Sequence, residues 1–160
     1  MNNIKIKIIM ENGKEMEAEL YPDTAPITVD NFVSLIKEKF FDGIIFHRVI
    51  AGFMIQGGDP TGTGMGGSSK EIKGEFLANG VVNNLKHTRG VLSMARTSDP
   101  NSASSQFFIM HQDAPYLDGQ YAAFGKVTKG LDVVDSIATV QTDRRDKPLV
   151  EQKIKTIELM

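Results

Sequence analysis

Residues 46–59 read FHRVIAGFMIQGGD. Two strand-like runs, FHRV and FMIQGG, are separated by Ile50, Ala51 and Gly52. Within them stand an arginine, Arg48, and a glutamine, Gln56, among bulky apolar side chains. A packed core has little use for Arg48 or Gln56. A solvated strand has little use for Phe53 or Met54. The mixture describes a surface that binds something both apolar and amide-like.

The rest of the chain supplies the frame for that surface. Its 160 residues correspond to about one domain. Apolar residues make up 41% and charged residues 24%, the balance of a soluble globular protein with a core of its own. The formal net charge is −2, so no strong field gathers nucleic acid or an anionic membrane. With no cysteine there is no disulfide framework and no thiolate chemistry, which fits a reducing compartment. The N-terminal stretch MNNIKIKIIMENGKEMEAEL has no long apolar run, and reads as neither a signal peptide nor a membrane span. The expectation is a mature, cytoplasmic protein, with residues 1–160 forming a single domain.

Asn3 to Met10 alternates, with Ile4, Ile6 and Ile8 on one face and Lys5 and Lys7 on the other. Glu11-Asn12-Gly13 signals a hairpin turn, and Lys14 to Tyr21 returns as the partner strand. Val29, Phe32, Val33, Ile36 and Phe40 recur at helical spacing, so the pattern predicts a helix over Pro26 to Lys39 with Thr24 as its cap. Five short strand-like runs follow: IIFHRV, FMIQGG, GVLSMA, QFFIMH and AAFGKV. Leu131, Val134, Ile137 and Ala138 predict a second short helix, and Lys153 to Leu159 a closing strand. Many short strands and two isolated helices argue for an antiparallel sheet or barrel. Asp59 to Lys73 and Arg96 to Ser105 stay irregular and follow the strands with unusual residues, where they could wall a groove.

The remaining motifs carry little chemistry. GTGMGG matches G-x-G-x-x-G at Gly62, Gly64 and Gly67, but the polar segment SSKEIKGEF follows where a nucleotide-binding helix would open. It reads as a flexible surface loop. His47, His87 and His111 pair with no second ligand at metal spacing, and His47 reads as a hydrogen-bonded residue in or just beneath the core. No G-x-S-x-G elbow marks a nucleophilic serine. Phe107 and Phe108 fall on opposite faces of one strand, one for a core and one for a concave surface.

Taken in order, FHRVIAGFMIQGGD, GTG, GEF, GVLSMA, NSASSQFFI, YLDG and FGKV resemble the blocks of the cyclophilin family of peptidyl-prolyl cis/trans isomerases. The resemblance covers nearly the whole chain. It implies a mainly β fold, a closed eight-stranded antiparallel barrel capped by two α-helices, with its groove on the outer barrel surface. It implies Arg48 as the catalytic arginine, and an apolar proline pocket of Phe53, Met54, Phe108 and Leu117. The amide-binding positions fall on Gln56, Ala95, Arg96 and Gln106. Tyr116 stands where well-known animal members carry tryptophan, and Tyr121 where they carry histidine. The latter looks like the prokaryotic branch of the family.

The implied partners are proline-containing peptides and unfolded or flexible protein segments. Cyclosporin, the family's cyclic peptide inhibitor, is expected to bind more weakly because of Tyr116. The implied reaction breaks no bond, so it needs no cofactor, metal or general base. A monomer is the default, with neither nucleic acid nor membrane as a partner.

Overall fold

The computed structural model describes residues 2–160. Strand β1 (Ile4–Met10) pairs antiparallel with β2 (Glu15–Leu20), with Ile8 opposite Met16. The turn between them is held by Lys14 N donating to Asn12 Oδ1 at 2.9 Å. Ile6, Ile8 and Met10 are buried as the alternation requires.

Helix α1 (Pro26–Lys37) buries Val29, Phe32, Leu35 and Ile36. Its capping corrects the expectation for Thr24. The cap position is Ala25, and no side chain there accepts a hydrogen bond. The buried Glu75 carboxylate comes in from a distant loop instead. Its Oε1 accepts from both the Thr28 backbone N–H and the Thr28 hydroxyl, each at 2.7 Å. An acidic group at the positive end of a helix serves as a cap wherever it originates in sequence. The helix also stops short of Lys39, which has a left-handed φ of 57°.

The five middle runs become β3 (Phe46–Ile50), β4 (Met54–Gly57), β5 (Val91–Met94), β6 (Phe107–Met110) and β7 (Ala123–Lys129). Helix α2 (Leu131–Ala138) and β8 (Ile154–Leu159) complete the elements. All eight strands form one antiparallel sheet in the order β3-β4-β6-β5-β7-β2-β1-β8.

Strands β5 and β6 are buried on both faces, and this is why they read as continuous apolar runs. Their alternate side chains enter two separate clusters. Leu92, Met94, Phe107 and Ile109 join the main core with both helices, where the Phe32 ring lies 4.9–5.2 Å from those of Phe41, Phe107 and Phe124. Val91, Phe108 and Met110 join a smaller cluster on the other face, with Met54, Leu117 and Ala123. Phe107 and Phe108 thus divide between the faces as a strand demands.

Closure is where the barrel expectation is corrected. The sheet has two ends, β3 and β8, with no regular ladder between them. Among the described residues one bridge, Ile45 to Lys153, joins the edges, helped by backbone bonds such as Phe46 N to Gln152 O at 2.9 Å. The strands needed for pairing end too soon: β3 starts at Phe46 and β8 at Ile154. The described residues form a curled eight-stranded sheet whose edges are tied where residues 43–46 meet 152–154.

Candidate active site

A β-bulge sets the direction of Arg48. Phe46 pairs with Gly57 and Arg48 with Gln56, so the β3 segment carries one residue more than β4. In a regular strand Phe46 and Arg48 would share a face. The extra residue, His47, breaks that parity. Phe46 is fully buried in the main core and Val49 returns to it, while Arg48 is turned out to solvent directly across from Gln56.

The two glutamines expected to bind amides form a chain of side-chain bonds ending on Arg48. Gln106 Nε2 donates to the carbonyls of Gly64 and Gly66 at 2.9 and 2.7 Å. That leaves its Oε1 to accept from Gln56 Nε2 at 2.9 Å. Gln56 Oε1 in turn faces Arg48 and accepts from Nη1 at 3.3 Å. Each amide is oriented by the one behind it.

The far end of this chain is not the flexible loop expected of GTGMGG. Residues 61–66 wind around the carboxylate of Asp59, which is only 1% exposed. Asp59 accepts from the Thr61 hydroxyl and from the backbone N–H groups of Thr61, Thr63, Gly64 and Gly66 at 2.7–3.2 Å. A Cβ on Gly66 would lie 2.3 Å from Asp59 Oδ1, so only glycine permits this approach. Burial by itself would raise the Asp59 pKa. The N–H groups of Thr61 and Gly66, the Thr61 hydroxyl and the Gly64 N–H outweigh it and bring it down to about 2. Sequence reading missed Asp59. The available signal was an Asp opening a glycine- and threonine-rich stretch, the composition of a turn closed by its own side chain.

Beside Arg48 and Gln56 lies a cavity of about 160 Å³. Phe53, Met54, Phe108 and Leu117 supply its apolar lining, and Ala95, Arg96 and Tyr121 the remainder. A one-turn 3-10 helix, Pro115–Leu117, delivers Leu117. Tyr121 sets its ring edge-on to Phe108 at 5.8 Å. Arg96 braces the wall: its guanidinium lies 4.8 Å from the Phe76 ring and 4.7 Å from the Tyr121 ring, and donates to the carbonyls of Gln120 and Thr97. The Ala95 N–H is committed to Gln106 O at 3.0 Å. Gln106 belongs to the adjoining cleft of about 480 Å³, which shares Gln56, Ala95 and Arg96. Its walls come from residues 64–71 and 95–106, the two irregular segments. Tyr116 alone among the expected residues lines neither space. It is 69% exposed and tilts against Phe53 with ring centroids 6.1 Å apart.

Behind Phe108 stands an arrangement that no local motif announces. His87 Nε2 lies 2.8 Å from Ser93 Oγ, and its Nδ1 lies 3.0 Å from Asp118 Oδ1. The connectivity is that of a hydrolytic triad, but Ser93 is 0% exposed and no substrate reaches it. The ring stacks on Phe108 at 6.1 Å and 21°, so the unit serves as a backing for the cavity. Burial lowers the His87 pKa more than Asp118 raises it. His47 departs from expectation differently: it is buried, yet its Nδ1 has no hydrogen-bond partner.

The model of the family described as cyclophilin type peptidyl-prolyl cis-trans isomerase/CLD matches residues 5–159. Peptidyl-prolyl cis-trans isomerase-like 1 of Rhizopus delemar is 50% identical over 137 residues, which cover 85% of this chain and 81% of that protein. A peptidyl-prolyl cis-trans isomerase of Arabidopsis thaliana is 44% identical over 147 residues, covering 91% and 90%. The crystal structure of a cyclophilin type peptidyl-prolyl cis-trans isomerase of Cryptosporidium parvum superposes with a TM-score of 0.91 at 36% identity, covering 99% of this chain and 98% of that one. The same protein in the presence of the dipeptide ala-pro gives 0.89 at 37%, covering 98% of each. These relatives are eukaryotic, so they support the family but not the prokaryotic-like branch that Tyr121 suggested.

Proposed function

This chain belongs to the cyclophilin-type peptidyl-prolyl cis-trans isomerases, and we infer that the groove holding Arg48, Gln56 and the apolar cavity is where it turns over Xaa-Pro bonds. One observation carries the reading: a guanidinium and an oriented amide open onto the same 160 Å³ cavity as Phe53, Met54, Phe108 and Leu117.

A peptide bond resists rotation by about 18–20 kcal/mol because nitrogen shares its lone pair with the carbonyl. At Xaa-Pro the uncatalysed exchange takes tens to hundreds of seconds. In the twisted transition state that lone pair returns to the prolyl nitrogen. The apolar side chains grip the pyrrolidine ring, and the Arg48 N–H groups meet the nitrogen as it becomes a hydrogen-bond acceptor. The planar ground state offers no such acceptor, so the contact favours the twisted form and lowers the barrier. Gln56 keeps a second Nε2–H for a flanking carbonyl while the other side rotates; Gln106, its own N–H groups spent on Gly64 and Gly66, orients Gln56, and the backbone at Ala95 and Arg96 walls the same groove. Tyr121 meets the substrate from the cavity wall, and Tyr116 from the rim beside Phe53.

The substrates in this reading are proline-containing peptides and unfolded or flexible protein segments, whose folding the protein assists. Ala-Pro in the presence of the Cryptosporidium relative supports a prolyl ligand. We further propose one isomerase domain over residues 1–160, monomeric and cytoplasmic, with no nucleic-acid partner. Among the described residues no helix is long and apolar enough to cross a membrane. A prokaryotic-like affiliation rests on Tyr121 alone.

The alternative is a module that binds proline segments without turnover. Exchange spectroscopy on a short Xaa-Pro peptide separates the two. Catalysis accelerates cis–trans interconversion at substoichiometric protein and leaves the free-peptide ratio unchanged. Binding without an increased exchange rate would overturn the enzyme reading.

A further inference from the structure

A second cleft, of about 440 Å³, opens from Arg48 and Gln56, which line both it and the proline cavity. Its other walls are His47, residues 62–64, Asp143, Arg145 and Lys147. The basic side chains stand on a turn fixed by its own backbone. Asp143 Oδ1 accepts from the N–H groups of Arg145 and Lys147 at 2.8 and 3.1 Å, Asp143 N donates to Lys147 O at 2.9 Å, and Val49 N ties Asp146 O to β3 at 2.8 Å. Asp143 therefore spends a carboxylate oxygen on backbone. Among the described residues neither Arg145 nor Lys147 makes an ion pair.

His47 adds a directed donor. It is 6% exposed, with Nδ1 sealed off and unpartnered, while Nε2 lies on the side of the cleft where Gly64 sits. A sealed N–H with no acceptor costs more than a sealed lone pair, so Nδ1 carries the lone pair and Nε2 the proton. Burial, opposed by Asp59 and helped by Lys147 and Arg48, keeps the ring neutral. The charged groups facing this space are then Arg48, Arg145 and Lys147 against Asp143, a cationic cleft on a chain whose overall charge is −2.

We propose that this cleft is a specificity subsite that takes an acidic side chain of the substrate, held by Arg145, Lys147 and the His47 Nε2–H while the neighbouring proline occupies its own cavity. The proposal rests on the groove being the isomerase site. It makes the protein selective for prolines with Asp or Glu nearby.

The test measures kcat/KM on a set of Xaa-Pro peptides carrying Glu, Gln or Lys at each of three positions on either side of proline. Wild type and Arg145→Ala/Lys147→Ala are compared at low and high salt. Both side chains are exposed, and the turn's bonds use only their backbone, so the double variant keeps its fold. The expected result is a preference of about three- to tenfold for Glu at one position, mainly in KM, that shrinks in high salt and vanishes in the double variant. Arg145→Glu/Lys147→Glu should shift the preference to Lys at that position. An equal response to Glu and Gln at every position, or a preference that survives in the double variant, overturns the subsite. The Gln peptides keep the two readings apart: their undiminished turnover by all three proteins upholds the isomerase whatever becomes of the subsite, and no turnover by wild type sinks the isomerase itself.

Discussion

Arg48 and Gln56 were legible from residue type, because each is the wrong residue for a packed core, whereas Phe108 was placed by strand alternation and by the family resemblance. Their orientations were not. The sequence gives no sign that His47 is a bulge residue, although that bulge is what turns Arg48 away from Phe46. Nor can 31 positions of separation announce that Asp118 meets His87. Tyr116 is legible in another sense, as a departure from tryptophan-bearing relatives, and its position at the rim, against Phe53 and outside the proline cavity, limits what the change does. Turnover should be insensitive to it. Cyclosporin should feel it, because a phenol projects its donor from a different point than an indole N–H. One unmade hydrogen bond costs roughly 1–3 kcal/mol, or about one to two decades of affinity. Tyr116→Trp is therefore expected to tighten cyclosporin inhibition by about tenfold or more with kcat/KM unchanged, as read by titration in one isomerase assay. Equal inhibition of both proteins would remove Tyr116 from the account.

The two irregular segments are the elements that pattern reading handled least well. Periodicity found β1, β8 and both helices to within a few residues, since burial imposes a period of 2 or 3.6, a turn signal placed β2, and the five middle strands stood out as short apolar runs between turn residues. A loop organised around one carboxylate has no period. Asp59 does for residues 61–66 what a ladder does for a strand, and through Gly64, Gly66, Gln106 and Gln56 its influence reaches Arg48. Glu75 likewise caps α1 from 47 positions away, which no local capping rule could supply. The Asp59 role carries a pH signature. Its folded pKa of about 2 lies below the ordinary carboxylate value near 3.9. Its contribution is complete above about pH 4 and is lost as pH falls towards 2. Asp59→Asn should lower stability by about 2 kcal/mol at neutral pH. It should also reduce kcat/KM, because the amide chain loses its anchor. In paired denaturation curves the gap between variant and wild type should close between about pH 4 and 2. A gap constant across that range would show that the charge of Asp59 is not what holds the loop.

Across the described residues, one curled sheet buries the main core on one face and carries the smaller apolar cluster and its groove on the other, with the same short strands serving both. The eight strands and two helices were readable, but the unfinished edge between β3 and β8 was not, because it depends on how two strand ends meet in space. The proposed catalysis draws on no titrating group near neutrality. Burial lowers the pKa of both His47 and His87, so both are neutral above their ordinary value near 6.5 and gain protons only in acid. Activity should thus be level from about pH 7 to 9 and indifferent to chelator, and a step in a pH–rate profile there would expose a missing group. In the proposed mechanism Arg48 binds the twisted amide and not the planar one. The most direct test of that preference is a comparison, in Arg48→Ala, of peptide Kd from calorimetry with kcat/KM from exchange. Arg48 is exposed and packs in no core, so the fold should survive. The expected result is a Kd within about threefold of wild type and a loss of roughly a hundredfold in turnover, equivalent to about 3 kcal/mol of transition-state binding. Losses of equal size in binding and turnover, or full turnover without the guanidinium, would contradict it.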